Sequence, residues 1–172
     1  MVEFTEHGYA RAGVRQIADR AGVTAMMINR YFGSKEGLFA QAVDRAFGPA
    51  TVVGDEPAGL PEAMARTLAE RTAPGAAPLD PFLLLLRSVQ DAEATEILRQ
   101  SIETHVGTRL AGLVDGPQPE VRAQLGLALI AGTWLMRTVV GTTALAEADD
   151  DSLSELLAGM LRPVLGEAEA GG

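Results

Sequence analysis

The side chains able to do covalent or metal chemistry are few. His7 and His105 are the two histidines, cysteine is absent, and the densest acidic group is the run Asp149-Asp150-Asp151. Disulfides, thiolate metal sites and cysteine nucleophiles are therefore excluded, and the histidines form no recognisable triad or metal motif. The aspartate run lacks calcium-loop spacing. It precedes Ser152 and an apolar stripe, where carboxylates favour the positive end of a helix dipole. The glycines between Gly48 and Gly59 lack phosphate-loop spacing and no strand precedes them. An enzyme is not expected, nor a cofactor or a metal.

A second group of side chains lies between Val14 and Lys35 and suits nucleic acid. Val14, Ile17, Ala18 and Ala21 recur at helical spacing, Gly22 stops that helix, and Thr24 is a good N-cap for a second one over Ala25–Tyr31. Two short helices joined by a glycine-containing turn have the dimensions of a helix-turn-helix. Gly22 permits a positive φ, Val23 fills the angle between the helices, and the small Ala18 lets them pack closely. In such a unit the first residues of the second helix face the major groove.

These elements sit among others that must hold them. Phe4 lies in a first short helix that Gly8 ends, and Ser34 caps a fourth helix with the stripe Leu38, Phe39, Ala42, Val43 and Phe47. Gly48-Pro49 closes it. Residues 48–59, with three glycines and two prolines, are the best domain boundary. Beyond it the periodicity is helical throughout. Helices are expected over about 61–72, 81–90, 93–114 and 119–146, three of them starting at Pro61, Pro81 and Pro119, with a loop over Thr72–Leu79 and a break at Asp115-Gly116-Pro117. A last helix follows Ser152 with the stripe Leu153, Leu156, Leu157, Met160, Leu161, Val164 and Leu165. No strand and no internal repeat is expected.

The net charge is −9, which by itself argues against a nucleic-acid partner. Its distribution argues otherwise: residues 1–47 hold six basic and five acidic residues, and the remainder eight and eighteen. Only a near-neutral head is suited to approach DNA. The start, Met1-Val2-Glu3-Phe4, has no secretory features, and the apolar run Leu125–Met136 is short of the roughly 20 residues that span a bilayer, so a buried helix, no membrane and a cytoplasmic location are expected.

At the helix-turn-helix the sequence resembles the tetracycline-repressor (TetR) family of regulators. The likeness covers roughly Phe4–Phe47 and rests on Glu6-His7-Gly8-Tyr9, Val14-Arg15-Gln16-Ile17-Ala18, Ala21-Gly22-Val23-Thr24 and Tyr31-Phe32-Gly33-Ser34-Lys35-Glu36-Gly37-Leu38-Phe39. It implies an all-α protein: a three-helix helix-turn-helix DNA-binding domain in 1–47 and a helical effector-binding and dimerisation domain in 48–172. It also implies that Lys35, the only lysine, holds a phosphate. Arg15 stands where some members reach a base edge, so it takes either guanine O6/N7 or a phosphate. Thr24 caps the recognition helix. Ala25, Met26 and Met27 occupy its base-facing turn and offer only apolar contact, for example to thymine methyls. Asn29 replaces a phosphate-binding tyrosine and Arg30 follows it; either meets base or backbone, the backbone being favoured for Asn29, and Tyr31 touches a phosphate or packs. Gly13 stands where a threonine or serine usually caps the second helix. Members usually have one to two dozen residues before the position of Phe4; three precede it here, so a shortened first helix is expected.

The segment Leu79-Asp80-Pro81-Phe82-Leu83-Leu84-Leu85-Leu86 is also similar to one subgroup of the family's effector domains. The last two long helices, through Leu125, Leu129, Gly132, Met136, Val139 and Val140 and through the Leu/Met stripe, carry more apolar surface than one body buries. A four-helix homodimer interface or an intramolecular bundle would absorb it. Candidate effector contacts, each also a plausible core residue, are Met64, Leu68, Phe82, Leu85, Leu86, Val89, His105, Trp134 and Arg137. They suit a small apolar or aromatic compound, with Arg137 or His105 meeting an anionic group. The resemblance thus implies a repressor of a pseudo-palindromic double-stranded operator, released by an effector. The alternative is a helical dimeric interaction module that has lost DNA binding.

Overall fold

A computed structural model describes residues 2–47, 58–76 and 80–166, and among them every regular element is helical. The elements are α1 Val2–Arg11, α2 Val14–Ala21, α3 Ala25–Phe32, α4 Lys35–Phe47, α5 Leu60–Thr72, α6 Asp80–Ser88, α7 Ala92–Ser101, a π-helical segment π1 Ile102–Gly107, α8 Thr108–Ala111, α9 Pro119–Trp134, a second π-helical segment π2 Leu135–Val140, α10 Thr143–Ala146 and α11 Asp150–Leu165. The expected closure at Gly48-Pro49 and most of the expected linker lie outside the described residues, as do 77–79 of the expected loop.

The helices fall into two compact units. One contains α1–α4, α6 and α7, and the other α5 and α8–α11. The first thus holds more than the four N-terminal helices. Its core is an aromatic trio: Phe4 meets the Phe39 ring edge-on at 5.0 Å between centroids, and Tyr9 lies 4.9 Å from the same ring. Each such pair contributes about 0.5–1.5 kcal/mol beyond its area burial. Val43, Phe47, Leu84, Ala94 and Leu98 complete the core. Helix α1 bends at Gly8, whose φ of 73° only glycine adopts freely. A Cβ there would also lie 2.1 Å from the Arg87 carbonyl oxygen, so α1 touches the end of α6 backbone to backbone. The Tyr9 amide donates to the Ser88 hydroxyl at 3.1 Å, and the Arg87 guanidinium donates to the carbonyls of Thr5 and Glu6.

In the second unit α11 packs along α5 and on α9. The expected stripe of α11 divides. Leu153, Leu157, Leu161 and Leu165, spaced by four, are buried, whereas Leu156 and Met160 are 68% and 50% exposed. Leu157, fully buried, is core and is not available to a partner, a correction to its expected place beside Met160. The helix expected over 119–146 is broken: Gly141 takes a φ of 68° and α10 begins afresh at Thr143. Nor is its apolar run simply buried. The helical stretch Pro119–Val140 is long and apolar enough to cross a membrane by composition, yet only 28% of its most apolar window is buried.

Candidate nucleic-acid interface

The α2–turn–α3 unit forms from local signals. Gly22 closes α2 with a φ of 67°, and its amide donates to the Asp19 carbonyl. The Thr24 hydroxyl accepts from the Met27 amide at 3.3 Å, the N-cap that starts α3. Ala18 and Ile28 are the buried contacts of the pair, 2% and 4% exposed. Gly13 brings no capping side chain to α2. Instead Gln16, three residues on, turns back and accepts from the Gly13 amide at 3.2 Å, the half of a capping box that a glycine permits. The backbone is thereby satisfied, although a hydroxyl that could hold phosphate is missing.

Helix α3 is held from its other end. The Ser34 hydroxyl accepts from the Gly37 amide at 3.2 Å and starts α4. A Cβ on Gly37 would stand 2.1 Å from the Phe32 carbonyl oxygen. That close approach explains why the segment Phe32-Gly33-Ser34-Lys35-Glu36-Gly37 needs its second glycine.

With the inner face fixed, the outer face of α3 is defined. Met26 is 80% exposed, Met27 44% and Tyr31 75%, with Asn29 and Arg30 also exposed and Ala25 partly so. On α2, Arg15 is exposed. Neither Arg15 nor Arg30 forms an ion pair among the described residues. Arg20 does: its guanidinium binds Glu3 and Glu6, each at 2.6 Å, and ties α2 to α1. Those bonds raise the Arg20 pKa and hold the Glu6 carboxyl below its ordinary range. Glu3 and Glu6 together with His7 are close enough to hold a cation, but Arg20 already sits on both carboxylates.

Lys35 lies at the first turn of α4. Its ammonium stands 4.5 Å over the Tyr9 ring and 3.5 Å from the Ala10 carbonyl. Beneath it the Tyr9 hydroxyl lies 2.7 Å from Glu93 and 3.0 Å from Glu36, two carboxylates sharing one donor. Burial first, and then the two carboxylates, push the phenol pKa far up, so Tyr9 stays protonated. On Glu36, the hydrogen bond from Ser34 is the main cause of a lowered pKa. Tyr9 and Glu93 were not foreseen as neighbours of Lys35, because Glu93 arrives from α7 and no local pattern announces a contact between α1 and α7.

The candidate effector residues are divided between the two units. Phe82, Leu85, Leu86, Val89 and His105 belong to the first unit, and Met64, Leu68, Trp134 and Arg137 to the second. Leu86 lines a cleft of about 600 Å³ between α1 and α6 whose other walls, among them Glu6, His7, Arg11, Arg87 and Asp91, are largely polar. Val89 is exposed, and Met64 and Leu68 are fully buried. His105 Nε2 is 3.2 Å from the Asp44 carboxylate, which also accepts from the Ser101 hydroxyl at 3.1 Å. Arg137, on π2 and 4% exposed, donates to the Ala69 and Ala148 carbonyls, the Thr72 hydroxyl and Asp150, so its charge is already matched within the unit.

Comparison with known proteins agrees with this geometry. Residues 1–42 match the model of bacterial regulatory proteins of the tetR family, and residues 58–165 match the tetracyclin repressor-like C-terminal domain. A transcriptional regulator from Rhodococcus sp. Rha1 aligns over 95% of this chain and 90% of its own, with a TM-score of 0.59 and 25% identity. A TetR-family regulator from Streptomyces coelicolor A3 aligns over 95% and 88%, with a TM-score of 0.56 and 21% identity. No curated protein is a match in sequence. The two family domains span most of the chain in the order the helices require, and the protein belongs to the TetR family of DNA-binding transcriptional regulators.

Proposed function

We propose that this regulator is a cytoplasmic repressor: a homodimer that binds a pseudo-palindromic operator through one α3 per half-site and lets go when a small, largely apolar or aromatic effector binds its body. In this reading DNA recognition belongs to residues 1–47, and effector binding and dimerisation to 48–172. The observation that carries it is the outward face of α3 and α2, where Met26, Met27 and Tyr31 stay exposed and Arg15 and Arg30 form no ion pair among the described residues. A folded domain has no internal use for such a surface, and a two-fold dimer requires matching symmetry in its DNA.

Dimerisation is supported by the exposed apolar residues of α9, π2 and α11. Val121, Leu125, Met136, Val139, Val140, Leu156 and Met160 are between 39% and 68% exposed. Release by an effector requires that the compound bind two conformations with different affinity. In the bound state Lys35 leaves the Tyr9 ring for a phosphate, Thr24 holds the start of α3, and Asn29 and Tyr31 contact the backbone.

Binding to an operator library at several salt concentrations tests the reading. Lys35→Ala is expected to weaken all sequences alike and lower the salt slope by roughly one. If Arg15 holds a guanine, Arg15→Ala costs about 1–3 kcal/mol and relaxes one symmetric base position; if it holds phosphate, it behaves like Lys35→Ala. A chain that binds no DNA at any salt is instead an interaction module. Compounds that stabilise the protein thermally without ever changing its DNA affinity would remove the effector from the proposal.

A further inference from the structure

We propose that the recognition helix reads the 5-methyl group of pyrimidines, so that the operator positions facing Met26 and Met27 are specified by thymine methyls rather than by hydrogen bonds. This rests on the reading of α3 as the groove helix.

Helix α3 has eight residues, and Ile28 is buried against the rest of the unit. The exposed stripe begins with Met26 and Met27, and Arg30 and Tyr31 stand one turn further on. The stripe therefore has an apolar N-terminal half and a polar C-terminal half. In a helix-turn-helix the N-terminal residues of this helix meet base edges. Here the side chains of that end have nothing with which to exchange strong hydrogen bonds. The Ala25 side chain has no polar atom, a thioether sulfur is at best a weak acceptor, and the Met27 amide is already committed to the Thr24 hydroxyl.

The major-groove edges of the four base pairs present acceptors, donors and one apolar group, the thymine C5 methyl. Setting a methionine against an acceptor or donor strips that group of water and leaves it unpaired, which is unfavourable. Against the methyl, both partners lose water at no such cost. Methionine suits the task because its unbranched, polarizable chain adapts to a small convex group. Met26 is 80% exposed, so its side chain is free to meet a base edge. One chemical consequence follows: 5-methylcytosine carries the same methyl at the same ring position, so a methylated cytosine will substitute for thymine at these positions where cytosine does not.

The test uses the full chain and the operator obtained from the library. Each thymine is replaced singly, and in symmetric pairs, by deoxyuridine, which lacks only the methyl, and dissociation constants are measured at fixed salt. At the positions facing Met26 and Met27 the expected loss is about fourfold per half-site and roughly fifteenfold for the symmetric pair, the weight of one buried methyl each. At the same positions 5-methylcytosine binds several-fold more tightly than cytosine. Met26→Ala and Met27→Ala erase the difference between thymine and deoxyuridine, while Met26→Leu, which keeps the apolar bulk without sulfur, preserves it. Met26 and Met27 are both exposed, so none of these changes removes a core side chain. Operator binding that is tight and salt-dependent but indifferent to deoxyuridine at every position overturns methyl reading and leaves DNA reading intact. Sensitivity that survives in Met26→Ala and Met27→Ala, or that vanishes in Met26→Leu and so marks the sulfur as the contact, also overturns it. Failure to bind any fragment overturns both.

Discussion

Exposed apolar side chains gather on α3 and on α9, π2 and α11, and the two regions are built differently. On α3 the exposed Met26 and Met27 are followed within a turn by Asn29, Arg30 and Tyr31. On α9 and π2 the exposed Val121, Leu125, Met136, Val139 and Val140 are joined by Leu156 and Met160 of α11, a helix that packs on α9 where Gly126 meets Leu165. The first surface is small and has polar groups within one turn of each methionine, as a partner with polar edges and charged phosphates demands. The second is extended and mostly aliphatic, suited to a partner that is itself aliphatic, such as another copy of the same face. What each region exposes therefore indicates the polarity of what covers it.

The largest expected effect breaks the second surface and spares the first. The double change Leu156→Glu, Met160→Glu places four carboxylates in a two-fold interface and removes apolar burial worth roughly 1.5–3 kcal/mol per side chain. Sedimentation equilibrium is expected to show monomers, with operator affinity falling more than a hundredfold because half-sites are then bound one at a time. Met26→Glu on α3 is the contrast: the dimer persists and DNA binding is lost. Leu157→Asp, one residue from Leu156, behaves unlike either. It puts charge into the core between α11 and α5 and unfolds the body. A double Glu variant that remains a dimer would show that α9 and α11 present their apolar residues to something else.

Leu156 and Leu157 also show where sequence reasoning stops. The α2–turn–α3 unit was legible residue by residue because each of its signals is local: a cap at Thr24, a stop at Gly22, a small residue at Ala18. The same holds for Ser34 before α4. On α11, by contrast, adjacent leucines are chemically identical, and only the position of α5 decides that Leu157 turns inward. Helix α9 is apolar on every side, so no periodicity marks its buried face. The break at Gly141 was missed because an isolated glycine in an apolar helix is often tolerated. Gly37 and Tyr9 were visible as parts of a motif; the reason for Gly37, the Phe32 carbonyl, is local, whereas the carboxylate that Tyr9 meets from α7 is tertiary. The candidate effector residues carry the weakest signal of all, since size and apolarity select core as readily as cavity.

A middle-sized effect concerns the support of the second surface. Arg137 is buried on π2, and its two terminal nitrogens reach α5, the turn before α11 and Asp150, with Nε left without a partner. Replacing it by methionine of similar length keeps the volume but leaves the Thr72 hydroxyl and two carbonyls short of donors. Breaking a fully buried pair costs about 3–5 kcal/mol; here about 2–3 kcal/mol is expected, because Asp150 is 43% exposed and regains water. Urea unfolding measures it. Should Arg137→Met leave stability unchanged while abolishing the response to an effector, the guanidinium serves a ligand rather than the fold.

The smallest expected effect depends on pH and asks whether α11 is a rigid support. Glu62 of α5 accepts from Arg162 of α11 at 2.7 Å, and that hydrogen bond, outweighing partial burial, lowers the Glu62 pKa below its ordinary value of 4.5. A carboxyl with a depressed folded-state pKa contributes stability that is fully present above its unfolded pKa and is lost as pH falls through the folded one. Glu62→Gln should therefore be less stable than the native chain at pH 7, by an amount constant down to about pH 5 and fading below 4.5. Both side chains are about 40% exposed, so water screens the pair and the difference is about 0.2–1 kcal/mol. Thermal unfolding of both proteins across that range gives the profile; a difference that persists in acid would assign the loss to packing instead of charge. In the same samples the dimer dissociation constant should not move, since Glu62 and Arg162 are not among the exposed apolar residues assigned to the partner. If it does move, α11 shifts on α5 when the pair is broken, and the surface carrying Leu156 and Met160 is adjustable rather than fixed.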